Sequence, residues 1–202
     1  MHLNTMSIRP ATEADIPALL AVFLSAFSTS PFNTTCFPDS DPLSHQTHRA
    51  NIAANLAHIT LLERASPDGT TNKVLGWMSW KRRDTTTTRH IVRAEDFPPS
   101  GDQELARRFF QANVDAALCH MPPPYFHLSI IVVRCDAQGL GVGGQLMRHG
   151  LARVDEEGLA SYVNASRAGK GLYARHGFQT VEETHLGDDI GIWHMKRDAA
   201  QK

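Results

Sequence analysis

Apolar residues at Ile16, Leu19, Leu20, Phe23 and Phe27 recur at steps of three and four, the spacing that puts them on one face of a helix packed on a core. Thr12-Glu13-Ala14-Asp15 just before them is a capping box, and Ser7 to Arg9 can begin a strand. Ser28 to Pro42, rich in Ser, Thr, Pro and Asp, breaks the period. Leu43 to Ala57 reads as a second helix. Two strands, His58 to Glu63 and Val74 to Trp80, flank the turn-like Ser66-Pro67-Asp68-Gly69 and predict a hairpin. From Gln103, Leu105, Phe109, Ala112 and Ala116 keep helical period until Pro122-Pro123-Pro124 stops it.

Tyr125 to Val133 is the most apolar strand candidate. With a helix over Gly141 to Glu156 and a strand over Leu159 to Val163, it makes a βαβ unit with parallel strands. A short helix (Lys170 to His176) and strands near Phe178 to Glu182 and Ile190 to Met195 finish the chain. The expected class is α/β (α+β): a mixed, mostly antiparallel sheet with one parallel βαβ unit, flanked by helices. Residues 83–102, polar, threonine-rich and broken by Pro98-Pro99, are expected to form a loop insertion in a single domain spanning 1–202.

Composition narrows the partners more than the chemistry. Lys plus Arg (20) nearly balances Asp plus Glu (21), and no long run of either sign offers a footprint for nucleic acid or an anionic membrane. No run approaches the ~20 apolar residues of a membrane span. Cys36, Cys119 and Cys135 are neither a disulfide framework nor a zinc set. A cytoplasmic monomer or homodimer without a metal is the expectation. His45 and His48 share a helix spacing but lack a third ligand, so they read as a solvated face.

The chemistry gathers at Gln138-Gly139-Leu140-Gly141-Val142-Gly143-Gly144, between the apolar strand and its helix. Free amides and the positive end of a helix dipole make an anion site there. Gly139, Gly141 and Gly144 also spell the dinucleotide pattern G-x-G-x-x-G. In that fold, however, the glycines follow the strand directly and an acidic residue ends the next strand; here Arg134 to Ala137 intervene and the next strand runs into Asn164. A plain glycine turn is the third reading. Two longer motifs bear on the choice. Val133-Arg134-Cys135-Asp136-Ala137-Gln138-Gly139-Leu140-Gly141-Val142-Gly143 resembles the V-x-P-x-x-Q-G-x-G-x-G/A signature of the GNAT acetyltransferases. Asn164-Ala165-Ser166 followed by Gly169 to Phe178 is similar to that family's A-S-x-x-G-x-x-L-Y-x-x-x-G-F ending. Cys135 stands where the family often has proline, and is expected to be buried and inert.

The resemblance implies acetyl-CoA as cofactor, its pyrophosphate held by amides of Gln138, Gly139, Leu140, Gly141, Val142, Gly143 and Gly144. It implies that the strand edge at Ile131, Val132 and Val133 pairs with the pantetheine arm, that Asn164 lies beside that arm, and that Tyr173 is the general acid for the departing thiolate. A phenol pKa of about 10 lies near a thiol's ~8.5. His127, on the parity of Ser129, Ile131 and Val133, is the candidate base, because an imidazole near 6.5 suits proton acceptance at neutrality. Phe32, Asp39, Trp80 and Ser129 are candidates for the acceptor site, with Asp39 able to bind an ammonium. The expected reaction is acetyl transfer to a primary amine of a small molecule by direct attack in a ternary complex. A peptide N-acetyltransferase and a non-catalytic acyl-CoA-binding module are the alternatives.

Overall fold

The apolar runs assemble into one seven-stranded sheet in a computed structural model, which describes residues 6–66, 70–85 and 90–200. Strands β1 (Met6–Pro10), β2 (Ile59–Ala65), β3 (Asn72–Arg83), β4 (Tyr125–Val133), β5 (Ala160–Ala165), β6 (Gln179–His185) and β7 (Gly191–Arg197) lie in the order β1-β2-β3-β4-β5-β7-β6. Every neighbouring pair is antiparallel except β4 with β5. That parallel pair requires a crossover, supplied by helix α5 (Val142–Glu157). The hairpin is therefore present as β2 and β3, both longer than expected, although residues 67–69 of its turn lie outside the described residues.

Helices α1 (Ile16–Phe27), α3 (Pro42–Ala54) and α4 (Gln103–His120) occupy one face of the sheet, and α5 with α6 (Arg167–Ala174) the other. Leu19 and Ile52 pack with Leu61, Trp77 and Val132 on the first face. Val142, Leu146, Met147 and Val154 of α5 pack with Met78, Trp80, Phe126 and Leu128 on the second. The apolar positions of α5 recur at helical steps, so burying this stripe is what seats its N-terminus at the end of β4.

Trp80 is part of this second core, not of an acceptor site: only 8% exposed, it lies under α5, where a Cβ on Gly150 would overlap its indole nitrogen. Gly150→Ala is accordingly expected to destabilise the fold by about 1–3 kcal/mol through overpacking, despite alanine's better helix propensity. Denaturant unfolding checks this, and a stabilised variant would mean that the indole moves aside freely.

The stretch after α1 that breaks the helical period contains a short helix, α2 (Pro31–Cys36), which sits against α4. Phe32 stacks on Phe109 at 3.8 Å and meets Phe110 edge-on. The insertion, of which 86–89 lie outside the described residues, ends in an ordered buttress. Gly101 passes so close to the Cys36 carbonyl that a Cβ there would overlap it, the Asp102 amide donates to Thr35 O at 3.0 Å, and Ser100 Oγ donates to Asp41. These contacts fix the loop that leads from α2 into α3. Among the described residues, no helix is long and apolar enough to cross a membrane.

Candidate active site

Between β4 and β5 the sheet splits. Their pairing runs only from Tyr125 opposite Ala160 to Leu128 opposite Val163, while β4 stays with β3 as far as Val133 and β5 stays with β7 to its end. A bulge marks the parting: Trp80 pairs with Leu128 and Ser79 with Ile130, leaving Ser129 unpaired and exposed. An extra residue raises the local twist and turns β4 away from β5. From Ser129 to Val133 the β5 side of β4 is a free edge; backbone groups alternate in direction, so those of Val132 go to β3 while those of Ile131 and Val133 face a fork.

The bulge also corrects the expected parity. Beyond Ser129 the alternation is reversed: Ile131 and Val133 pack toward α5, whereas Ile130 and Val132 pack toward α1. His127 lies before the bulge, still within the paired part of β4, beside Tyr162 at 5.8 Å between rings. Burial, then the Arg83 and Lys81 cations, push its imidazole down to about 3. It stays neutral at physiological pH and is a weak base.

The fork opens onto the glycine turn. Gly139 and Gly141 have φ of +77° and +79°. Nothing lies within 4 Å of a Cβ at either position, so it is backbone conformation and not crowding that calls for glycine there. The first intrahelical bond of α5 runs from Gln145 N to Gly141 O, and the amides of Gly139 to Gly144 find no acceptor among the described residues. Gln138 donates from Nε2 to Val133 O at 3.1 Å, fastening the turn to the end of β4, whereas Leu140 is exposed. The Val142 side chain is core, leaving only its amide for a ligand. Asp136, held by Arg134 and Lys73 and driven down to about 2 by those partners, anchors the turn's base. Arg148 had escaped notice in the sequence; its guanidinium lies 3.4 Å from where a Cβ on Gly144 would stand. The four-residue step from Gly144 is the signal that could have found it.

Tyr173 is 6% exposed, its ring against Phe178 at 6.0 Å. Its hydroxyl has no partner among the described residues, yet it is not sealed from solvent. Burial raises its pKa well above the ordinary phenol range. Asn164, one residue past the last β4–β5 pair, turns to the α4 face, where its Oδ1 is 2.7 Å from His194 Nδ1. Cys135 is exposed and not buried as expected; its Sγ meets Ser25 O at 2.7 Å and ties the turn to α1.

On the α1 side a cleft of about 270 Å3 is lined by Phe23, Phe27, Asn33, Phe37, Asp39 and His48, among others. Asp39 stands at its rim, 86% exposed, with His45 Nε2 2.6 Å from its carboxylate. His48 is no solvated residue: it is wedged between the Phe23 and Phe37 rings, and burial holds it down to about 4. Phe32 lies among the α2–α4 aromatics instead of on the cleft. Phe23 and Phe27 pack on the cluster containing Val132 and Ile130, which places the cleft beside the free half of β4.

Residues 109–199 match the acetyltransferase (GNAT) domain family. No curated protein sequence matches the chain. Solved structures do. One, described as histone acetyltransferase HPA2 and related acetyltransferase from Corynebacterium glutamicum, is 23% identical, with 98% of each chain covered and a TM-score of 0.63. The Drosophila melanogaster polyamine N-acetyltransferase, which forms N-acetylagmatine, is 16% identical over 95% of this chain and 97% of its own, with a TM-score of 0.67. An agmatine N-acetyltransferase reaches a TM-score of 0.72 at 14% identity, with coverage of 95% and 98%. The family match covers residues 109–199, the part of the chain that holds the fork and the turn, and the fold throughout is that of the solved acetyltransferases; together they support an acyltransferase with a GNAT-like domain.

Proposed function

We propose that the protein moves an acetyl group from acetyl-CoA to a primary amine of a small cationic molecule with an apolar body. The observation that carries this reading is the fork: a free β4 edge that ends at six unpaired amides, with an aromatic cleft on the opposite face. The residues suit the cofactor chemically. The amides of the turn and Arg148 would hold the pyrophosphate, the Ser129–Val133 edge would pair with the amide groups of the pantetheine arm, and Tyr173 would donate to the leaving sulfur. Bound acetyl-CoA supplies the activated thioester.

The cleft gives the amine a second approach, so both reactants can be present at once and attack can be direct. Phe23, Phe27 and Phe37 cover the apolar body, and Asp39 holds a positive charge at the rim. His127 and His194 are neutral, and burial weakens both as bases. The amine's proton therefore leaves to water, and the reactive species is the free amine. This reading also draws on the amine substrates named for two structural neighbours.

Thermal unfolding with acetyl-CoA, CoA and NAD tests the cofactor, since a ligand at 100 times its Kd stabilises by about 2.7 kcal/mol. A rise with both CoA species and not with NAD, followed by thiol release with polyamines and arylalkylamines, is the expected result. Turnover with peptides and none with small amines would overturn the substrate class. Asp39→Asn is expected to raise KM for cationic amines threefold to fivefold at unchanged kcat, about 1 kcal/mol for an exposed ion pair. Equal KM in the variant would remove Asp39 from recognition.

A further inference from the structure

At the mouth of the fork, the sheet's α4 face carries a chain of hydrogen bonds that the proposed reaction does not use. Asn164 of β5 pairs in register with His194 of β7, so both side chains stand on that face. His194 is fully buried. Its Nδ1 lies 2.7 Å from Asn164 Oδ1 and 3.2 Å from the Tyr162 hydroxyl, and its Nε2 lies 3.0 Å from Thr184 Oγ1.

The partners settle the tautomer. A carboxamide oxygen only accepts, so Nδ1 carries the imidazole hydrogen and donates it to Asn164, while Nε2 accepts from the Thr184 hydroxyl. Burial also disfavours the doubly protonated ring and keeps this arrangement neutral. With Oδ1 committed, the Asn164 amide has only its Nδ2 hydrogens left to offer. They have no acceptor among the described residues and are not sealed from solvent.

We propose that His194 is a positioning residue: by holding Asn164 Oδ1 it turns the Asn164 Nδ2 donors into the fork, where they bind a carbonyl oxygen of the pantetheine arm. Thr184 sets the imidazole tautomer for that task. The inference rests on the acetyl-CoA reading of the same fork. It assigns a function to a histidine two strands across the sheet from β4 and its free amides, through contacts that no linear motif encodes.

Two variants separate positioning from packing. His194→Asn puts an amide nitrogen where Nδ1 stands and can still donate to Asn164. His194→Gln puts its amide near the position of Nε2, keeps the Thr184 contact and loses the Asn164 one. Titration calorimetry with CoA is expected to show affinity within about twofold of wild type for H194N and weakened about fivefold to tenfold for H194Q, one hydrogen bond's worth. Asn164→Asp keeps the oxygen facing His194 but has no amide donors, and is expected to lose as much as H194Q. In an N164A background, H194Q should add nothing further. H194Q and N164D that both bind CoA like wild type would overturn the inference alone, as would an undiminished H194Q loss in N164A. Wild-type protein that fails to bind CoA would overturn the cofactor reading and this inference with it.

Discussion

Replacing Tyr173 with phenylalanine is expected to lower kcat about 100-fold while leaving acetyl-CoA affinity within about twofold and the fold intact, because a positioned proton donor contributes roughly 10²–10⁴. The substitution removes a hydroxyl that has no partner among the described residues, so no internal hydrogen bond is lost with it. Its raised pKa has two consequences. The phenol keeps its proton throughout the working range, and it becomes a weaker acid than an ordinary tyrosine. Full transfer from a phenol above ~10 to a thiolate near 8.5 is uphill, so the hydroxyl stabilises the departing sulfur as a hydrogen-bond donor. That places the expected loss toward the lower end of the range.

The pH profile follows with its sign. An acid with a raised pKa stops working only as pH climbs through that raised value. The profile of kcat/KM should therefore rise with the fraction of free amine and show no falling limb from Tyr173 up to about pH 10. Stopped assays of thiol release from neutral to alkaline pH check both parts. Unchanged kcat for Y173F across that range would remove Tyr173 from the reaction.

Much of this site was legible because it is local in sequence. The strand Tyr125–Val133, the glycine turn and the helix after it are contiguous, and each is specified by its own residues: β-branched and apolar runs, glycine at positive φ, an amphipathic stripe. What stayed hidden depended on how distant segments register. A single bulged residue at Ser129 reverses which side chains share a face, and nothing in Ser-Ile-Ile-Val announces where a partner strand will slip. For the same reason the parity argument for His127 failed.

The Asn164–His194 contact lies 30 residues apart and needs the β5–β7 register, which the sequence does not print. Trp80 looked available for a substrate because a strand tryptophan can face either way; the glycine seven positions before the end of α5 decides that it faces the core. The polar run after α1 concealed a helix because α2 is held by aromatic residues of α4 some 75 positions later, not by its own periodicity.

Gly141→Val is expected to weaken acetyl-CoA and CoA about 10- to 100-fold without unfolding the protein. A β-branched residue at a φ of +79° is strained by about 1–2 kcal/mol, yet a Cβ there meets nothing within 4 Å, so the turn can relax outward. Relaxation swings the neighbouring amides off the position where a phosphate would sit. Each charge-assisted bond lost in this way is worth about 1.5–3 kcal/mol, and losing one already gives tenfold or more. Arg148→Ala leaves the amides alone and removes only the cation beside Gly144. Its expected loss is smaller, about fivefold, and shrinks as added salt screens the exposed charge, whereas the G141V deficit persists. Calorimetric titrations with CoA at low and high salt separate the two contributions. If G141V binds CoA like wild type, the phosphates are not held at this turn, and the fork would have to be read as the seat of some other ligand.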